Sequence, residues 1–335
     1  MKLAALGEFD LIERIKKSYG SEGGRIVRGM GDDAAALKVD TDSLVLTTTD
    51  MLLENVHFDL KYFSPYNLGK KAIAVNISDI AAMGGSPQWI LTSLGLPESV
   101  DGSFVEQFYK GMSCLSDRFG IKLIGGDTVA SKGGVVINVQ LIGTVNQKEL
   151  ILRRGARAGD HVFVTGTLGD SSAGLEILKK GLWGEKKRDE YVDSVNRHLT
   201  PSPRVDEARY LAAGEVASSM IDISDGLVQD LNHICTESNV QGKLLIDDVP
   251  ISDSYKYVCN EMGLNSHLSL CGGEDYELLF TVPPDKIGFV DSFREQFSCG
   301  VTRIGEICHG NGVSVYDEQN NPVELEVCGY DHFKN

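Results

Sequence analysis

The sequence is short of basic residues and has no long apolar run. Its 32 Lys and Arg stand against 48 Asp and Glu, which gives a formal net charge of −16 over 335 residues. Nucleic acids and anionic membranes bind basic surfaces, so this balance argues against both as partners. No window approaches the roughly 18 uninterrupted apolar residues of a membrane-spanning helix, and no leader-like pattern opens the chain. We therefore expect a soluble, unprocessed, cytoplasmic protein.

Common cofactor and nucleotide signatures are missing as well. The seven cysteines include no C-x-x-C pair, so the sequence predicts neither a disulfide framework nor a zinc ribbon, and we expect reduced thiols. Gly69-Lys70-Lys71 and Gly242-Lys243-Leu244 lack the flanking pattern of a P-loop, and neither H-R-D nor D-F-G occurs. These absences exclude the usual nucleotide-binding motifs.

Strand and helix patterns alternate along the chain, which favours an α/β class. A length of 335 residues with 42% hydrophobic residues predicts about two domains with real cores. The polar, glycine-containing segment 146–160 is the best boundary, so we predict domains at 1–147 and 148–335. Ser64 as N-cap, Pro65 in the first turn and the Gly84-Gly85 stop predict a helix from Pro65 to Met83.

Aspartates recur where strands are predicted to end or turn. They are Asp32 and Asp33, Asp50 after three threonines, Asp127 after two glycines, and Asp222 with Asp225. Asp79 adds a carboxylate on the buried-looking face of the predicted helix. Any one of these has a structural explanation, because Asp favours turns and caps. Together with Thr oxygens they form a hard ligand set that suits Mg²⁺.

Ordered motifs carry a family resemblance through nearly the whole chain. They are Gly31-Asp32-Asp33-Ala34, Thr48-Thr49-Asp50, Asn55-Val56-His57-Phe58, Asn76-Ile77-Ser78-Asp79, Gly125-Gly126-Asp127-Thr128, Ile221-Asp222-Ile223-Ser224-Asp225-Gly226, Gly272-Gly273-Glu274-Asp275-Tyr276-Glu277 and Gly329-Tyr330-Asp331-His332-Phe333. The sequence resembles the thiamine-monophosphate kinase family. Its aspartates and glycine turns are shared with the wider superfamily of aminoimidazole ribonucleotide synthetase.

The resemblance implies a two-domain PurM-like fold, α/β or α+β, in which the N-terminal domain gives strands to a barrel shared by a homodimer. It implies ATP and thiamine monophosphate as substrates and several Mg²⁺ ions, and it leaves open whether a monovalent cation also takes part. The implied metal ligands are Asp33, Thr48, Thr49, Asp50, Asp79, Asp127, Asp222 and Asp225. ATP contacts are expected at Tyr109, Gly126, Asp127, Arg153 and Ser224, and contacts to thiamine monophosphate at His57, Glu274 and Tyr330.

Residue chemistry agrees with direct transfer of the γ-phosphate to thiamine monophosphate, giving thiamine diphosphate. The acceptor phosphate has a second pKa of about 6, so it is already mostly ionised and needs no general base or covalent catalyst. Three alternatives stay open at this point. They are another enzyme of the superfamily, a nucleotide sensor without turnover and an acidic calcium-binding protein. The first cysteine is Cys114, which counts against a selenophosphate synthetase with its reactive N-terminal loop residue.

Overall fold

Two six-stranded sheets, one from each half of the chain, carry the fold of this computed structural model. The structure describes residues 8–19, 23–40, 42–184, 188–265, 267–325, 329–330 and 332–333. No helix in these ranges is long and apolar enough to cross a bilayer. The predicted boundary segment is 146–160; residue 146 ends a strand, and residues 147–160 contain no helix or strand and join the two halves.

Among its described residues, the first half contains three helices and six strands. In chain order they are α1 (Glu8–Tyr19), β1 (Ile26–Arg28), β2 (Ala35–Lys38), β3 (Ser43–Leu53), α2 (Pro65–Ala82), β4 (Ser86–Leu96), α3 (Gly102–Phe119), β5 (Lys122–Ala130) and β6 (Val136–Asn146). The strands are ordered β1-β2-β3-β6-β4-β5, and only the β4–β5 pair is parallel. Strand β5 is exposed along its whole length and forms one edge.

The second half surrounds its own sheet with seven helices among the described residues. The elements are β7 (His161–Thr165), α4 (Asp170–Lys179), α5 (Val192–Leu199), α6 (Val205–Ala213), β8 (Ser219–Asp222), α7 (Leu227–Ser238), β9 (Gln241–Leu245), α8 (Asp253–Met262), α9 (Leu268–Cys271), β10 (Leu278–Val282), α10 (Phe289–Gln296), β11 (Val301–Cys308) and β12 (Gly312–Tyr316). The strand order is β12-β9-β11-β7-β10-β8, with only β12 and β9 parallel. Both sheets keep two edges in the described part of the chain.

Helix α2 is the central element of the first half, and its prediction is confirmed. The Ser64 hydroxyl accepts a hydrogen bond from the Asn67 N–H at 3.2 Å, and Pro65 occupies the first turn. Its packing against α3 is very close, because a Cβ on Gly69 would lie 2.0 Å from the Phe108 carbonyl oxygen. The helix is therefore held rigidly against its neighbours, and it carries Asp79 in its last turn.

Two aspartates predicted to end strands lie inside them instead. Strand β3 continues through Asp50 to Leu53, because it pairs with β6 over its full length. Asp127 lies within β5, which pairs in parallel with β4 from Trp89 onward. The ladder hydrogen bonds outweigh the turn preference of Asp in both places. The prediction that these carboxylates follow strand ends is wrong.

Among the described cysteines, Cys271 departs from the expected chemistry. The thiols of Cys114, Cys235, Cys259, Cys299 and Cys308 are free. Cys271 is disulfide-bonded, so the expectation of uniformly reduced thiols is wrong at this residue. Disulfide formation depends on the distance between two cysteines in the fold, which their spacing along the chain does not report.

Candidate active site

Three aspartates from distant parts of the sequence meet between the two sheets. Asp33 precedes β2, Asp79 lies in the last turn of α2 and Asp222 ends β8. Oxygens of the three carboxylates lie within 4.8 Å of one another. Asp33 and Asp222 are buried, and Asp79 is partly exposed. These residues form what we call the aspartate cluster.

The aspartate cluster carries more negative charge than its neighbours compensate. Arg153 donates to Oδ1 of Asp33 at 2.7 Å, and the Thr48 hydroxyl donates to Oδ2 of Asp79 at 2.5 Å. Oδ2 of Asp33 and Oδ2 of Asp222 are buried and have no hydrogen-bond partner among the described residues. Burial, and then repulsion by neighbouring aspartates, raises the pKa of Asp79 well above its usual value and that of Asp222 to about 8.

Such a cluster fits a divalent cation. Buried carboxylates without a partner cost several kcal/mol when ionised, and two of their oxygens point at no donor in the described structure. Carboxylate oxygens are the preferred protein ligands of Mg²⁺. Arg153, expected at ATP, forms a salt bridge with Asp33, so it lies at the edge of the aspartate cluster.

Strand β3 brings further oxygens to the same place. The charge of Asp50 raises the pKa of both Asp79 and Asp222, and burial raises the pKa of Asp50 itself to about 6. The Asn138 amide on β6 donates to the Thr49 hydroxyl at 2.9 Å and to the Asp50 carbonyl at 3.2 Å. The pairing of β3 with β6 therefore fixes these two residues beside the aspartate cluster.

A cavity of about 1080 Å³ opens next to the aspartate cluster. Its lining brings together six of the eleven residues expected at the metal or the acceptor, and also Ser224, which was expected at ATP. The six are Thr49, Asp50, His57, Asp225, Glu274 and Tyr330. Aromatic rings contribute much of the wall, because Tyr62, Trp183, Tyr276 and His332 also line it. The cavity thus offers both carboxylates and ring faces, as an aromatic cation requires.

The loop from Gly272 to Glu277 forms part of this wall in a constrained backbone conformation. Glu274 and Tyr276 have φ angles of 66° and 52°, in the left-handed region that non-glycine residues seldom adopt. Asp275 and Glu277 are fully buried, and their hydrogen bonds and salt bridges hold the loop in place. Their partners are the N–H groups of Gly169 and Ser171 for Asp275, and the guanidinium groups of Arg197 and Arg204 for Glu277.

A second anchor holds the loop that carries Ser224 and Asp225. Oδ2 of the buried Asp230 accepts the backbone N–H groups of Ser224, Asp225 and Gly226 at 3.0 to 3.1 Å. Three hydrogen bonds to one carboxylate oxygen fix the turn that follows β8. The Asp225 and Ser224 side chains are therefore presented to the cavity from a rigid turn.

Three of the expected nucleotide residues lie elsewhere. Tyr109, Gly126 and Asp127 line a separate pocket of about 390 Å³ beside the exposed strand β5. Asp127 is exposed, and its Oδ1 accepts the N–H of Thr128 at 2.9 Å. The expected ATP contacts are thus found in two places. One is this second pocket, and the other is the aspartate cluster together with the adjacent cavity. Asp127 is the one expected metal ligand that faces the second pocket.

Several residues of the site were not predicted from the sequence. Asp230, Asp275 and Glu277 act by fixing loops, and Lys71 contacts Glu274. A signal existed for Asp230, because it lies four residues after Gly226, where a carboxylate on the first turn of a helix can reach the preceding N–H groups. For Lys71 no local signal exists, because a lysine on a predicted helix is expected to be exposed on the surface.

Comparisons with known proteins agree with this architecture. The model of the AIR synthase related protein N-terminal domain matches residues 31–145, and that of the C-terminal domain matches residues 157–318. Two domains with mixed α/β content follow from these matches.

Individual relatives match over almost the entire chain. Thiamine-monophosphate kinase of Aquifex aeolicus (strain VF5) is 39% identical, over 99% of this chain and 100% of that protein. The Escherichia coli (strain K12) thiamine-monophosphate kinase is 38% identical over 98% and 99%. The solved structure described as AaThiL complexed with AMPPCP and TMP superposes with a TM-score of 0.87 at 38% identity, covering 99% of each chain. By identity, coverage and fold alike, the chain belongs to the thiamine-monophosphate kinase family.

Proposed function

We propose that this chain transfers the γ-phosphoryl group of ATP to thiamine monophosphate, giving thiamine diphosphate and ADP, with Mg²⁺ bound by the aspartate cluster. One observation carries the proposal beyond family membership. It is the presence of buried carboxylate oxygens, with no hydrogen-bond partner among the described residues, beside a cavity lined by aromatic rings and an acidic side chain. The related AaThiL structure, described as a complex with AMPPCP and TMP, supports the same pair of ligands.

Charge is the main obstacle to this reaction. Two unit charges about 4 Å apart repel by about 4 kcal/mol at an effective dielectric near 20, and the two phosphate groups carry several such pairs. Mg²⁺ held by Asp33, Asp79 and Asp222 would neutralise this charge and align the phosphates. We assign Thr48, Thr49, Asp50, Asp127 and Asp225 as further ligands of several ions.

The remaining residues bind and orient the substrates. Arg153, Ser224, Gly126 and Tyr109 are proposed ATP contacts, and His57, Glu274 and Tyr330 are proposed contacts to thiamine monophosphate. No side chain needs to remove a proton, because the attacking phosphate oxygen is mostly ionised near neutral pH. We further propose that the enzyme works in the cytoplasm, where its nucleotide is available, and that its domains span 1–147 and 148–335.

A homodimer formed through β5 is the second part of the proposal. All nine residues of β5 are exposed, including Leu123, Ile124 and Val129 at 52%, 56% and 56%. An edge strand with unpaired backbone groups and apolar side chains is a pairing surface. A second copy covering it would also enclose the pocket of Tyr109 and Asp127.

Ile124→Glu is therefore expected to shift the protein from dimer to monomer, because it places a charge in the middle of the apolar strand. Sedimentation velocity at tens of micromolar protein measures the change. Val39→Glu is the matched control, since Val39 is 60% exposed near the opposite edge of the same sheet. A wild-type protein that sediments as a monomer contradicts the dimer.

An assay of ADP formation tests the catalytic proposal. Purified protein should release ADP only when ATP, Mg²⁺ and thiamine monophosphate are all present. Thiamine without its phosphate should not replace the acceptor, because the nucleophile is missing. ATP binding with no ADP release under any combination would indicate a sensor and refute the enzyme.

A further inference from the structure

A fully buried lysine contacts Glu274, one of the residues that line the cavity. Lys71 lies on α2 among core residues such as Leu68 and Ile73, and none of its side chain is exposed. Its Nζ is 2.7 Å from Oε1 of Glu274 and 5.2 Å from the centre of the Phe63 ring. Lys71 therefore reaches from the first half of the chain to a cavity residue of the second half.

Stability does not explain this lysine. Burying an ammonium group costs free energy that a single ion pair seldom recovers, and an apolar residue of similar length usually packs at least as well. Within the described ranges, Glu274 is the only carboxylate paired with Lys71. The role of the Lys71 ammonium group is therefore to be found in its interaction with the Glu274 carboxylate.

Glu274 is held in one state by its surroundings. Burial alone would raise its pKa, but the neighbouring charge of Lys71 outweighs that effect, so the pKa lies below the usual value and the carboxylate is ionised. His198 Nδ1 lies 3.3 Å from Oε2 of Glu274, and burial together with Lys71 lowers the pKa of His198 to about 3. His198 is therefore neutral near pH 7, and Lys71 is the cation that compensates Glu274.

Backbone contacts fix the same residue. The Glu274 N–H donates to the Ser224 carbonyl at 2.8 Å, and its backbone has a φ of 66°, in the left-handed region. With both carboxylate oxygens engaged, 28% of the side chain remains exposed to the cavity. The carboxylate can thus face a ligand in only one orientation.

We infer that Lys71 is a positioning residue for the acceptor. It holds the Glu274 carboxylate, ionised and in one orientation, against thiamine monophosphate, either at the cationic thiazolium ring or at the aminopyrimidine ring. The inference rests on the proposed function. Lys71 has no exposed surface, so it does not touch the substrate itself. Because Lys71, Val75 and Asp79 recur every four residues on α2, one rigid helix sets both the acceptor pocket and the aspartate cluster.

Lys71→Met keeps the length of the side chain and removes its charge. We expect this variant to raise the KM for thiamine monophosphate by about 10- to 100-fold, because small displacements of a positioned group have effects of this size. The KM for ATP should stay within about twofold. Lys70→Met is the matched control, because Lys70 is the adjacent residue on α2, is only partly buried and forms no salt bridge in the described structure. Calorimetric binding of thiamine monophosphate without ATP gives a second readout that is independent of turnover.

A double-variant cycle shows whether Lys71 acts through Glu274. The KM for thiamine monophosphate is compared in the wild type, Lys71→Met, Glu274→Gln and the variant with both changes. If Lys71 acts through Glu274, removing it from the Glu274→Gln background should leave this KM unchanged within about twofold. The double variant has no unpaired charge, so it should also regain thermal stability lost in Lys71→Met.

Several results would overturn the positioning role of Lys71. Normal KM for thiamine monophosphate in Lys71→Met, an equal rise for both substrates, or the same fold-change in the Glu274→Gln background overturns the inference. If Lys71→Met does not fold, the double variant decides: it should behave as Glu274→Gln does, and wild-type acceptor affinity refutes the positioning role. A wild-type protein that makes no thiamine diphosphate refutes the proposed function instead.

Discussion

Asp222→Asn is expected to lower the rate of thiamine diphosphate formation by about 100- to 1,000-fold while leaving the fold intact. Asp222 lies at the centre of the aspartate cluster, and its Oδ2 has no hydrogen-bond partner among the described residues. Losing a metal ligand removes neutralisation of the phosphate charge in the transition state, an effect of several kcal/mol, and each 1.4 kcal/mol is a factor of ten. The measurement is kcat at several Mg²⁺ concentrations.

Thermal stability gives the same variant a second readout. Repulsion among Asp33, Asp79 and Asp222 destabilises the metal-free protein near neutral pH, as their crowded, buried carboxylates and the raised pKa of Asp222 indicate. Asp222→Asn should therefore raise the melting temperature without metal and reduce the rise that Mg²⁺ produces. Asp248→Asn, at an exposed aspartate, should change neither property. Near-normal turnover of Asp222→Asn at ordinary Mg²⁺ would refute the metal assignment.

Changes at the acceptor residues should separate the two substrates. We expect Glu274→Gln and Tyr330→Ala to raise the KM for thiamine monophosphate by about 10- to 100-fold, with little effect on the KM for ATP, because a lost charge contact or ring face costs about 1.5 to 3 kcal/mol. Both residues line the cavity, and Tyr330 is 41% exposed there. His57→Ala should behave similarly, since burial and the nearby His332 lower the pKa of His57 and leave a neutral ring against the pocket.

Tyr257→Ala is the control for loss of a tyrosine ring. Tyr257 is 37% exposed, close to the value for Tyr330, and it lies on α8 outside the cavity lining. Steady-state kinetics with each substrate varied in turn makes the comparison. Equal weakening of both substrates in the three acceptor variants, or unchanged kinetics for thiamine monophosphate, would show that the acceptor binds elsewhere.

Local signals were sufficient for the elements that depend on local chemistry. The helix from Pro65 was predicted almost to the residue, because Ser64 caps it and glycines at 84 and 85 follow it. Here side-chain patterning and capping act in the same direction as the tertiary fold.

Strands that depend on distant partners were predicted less well. Gly125-Gly126-Asp127 resembles a turn, yet pairing with β4 makes it the middle of β5. The same holds for Asp50, which β6 draws into β3. Turn preferences of Gly and Asp are small beside a ladder of backbone hydrogen bonds, and the sequence does not show which strands will pair.

For the site, residue types alone predicted a set of hard oxygen ligands, whereas the acceptor residues His57, Glu274 and Tyr330 were expected from the family resemblance. The sequence did not show which aspartates would meet, and the structure brings Asp33, Asp79 and Asp222 together. The separation of Asp127 into a second pocket depends on the position of β5. The Lys71–Glu274 pair joins opposite halves of the chain, so only the folded arrangement reveals it.

Transfer of labelled phosphate tests the central claim most directly. The protein is incubated with Mg²⁺, thiamine monophosphate and ATP labelled in its γ-phosphoryl group, and the products are separated and analysed by mass spectrometry. We predict that the label appears in the terminal phosphate of thiamine diphosphate, with one labelled product for each ADP formed. Label found only in inorganic phosphate, or thiamine diphosphate without label, would contradict direct phosphoryl transfer.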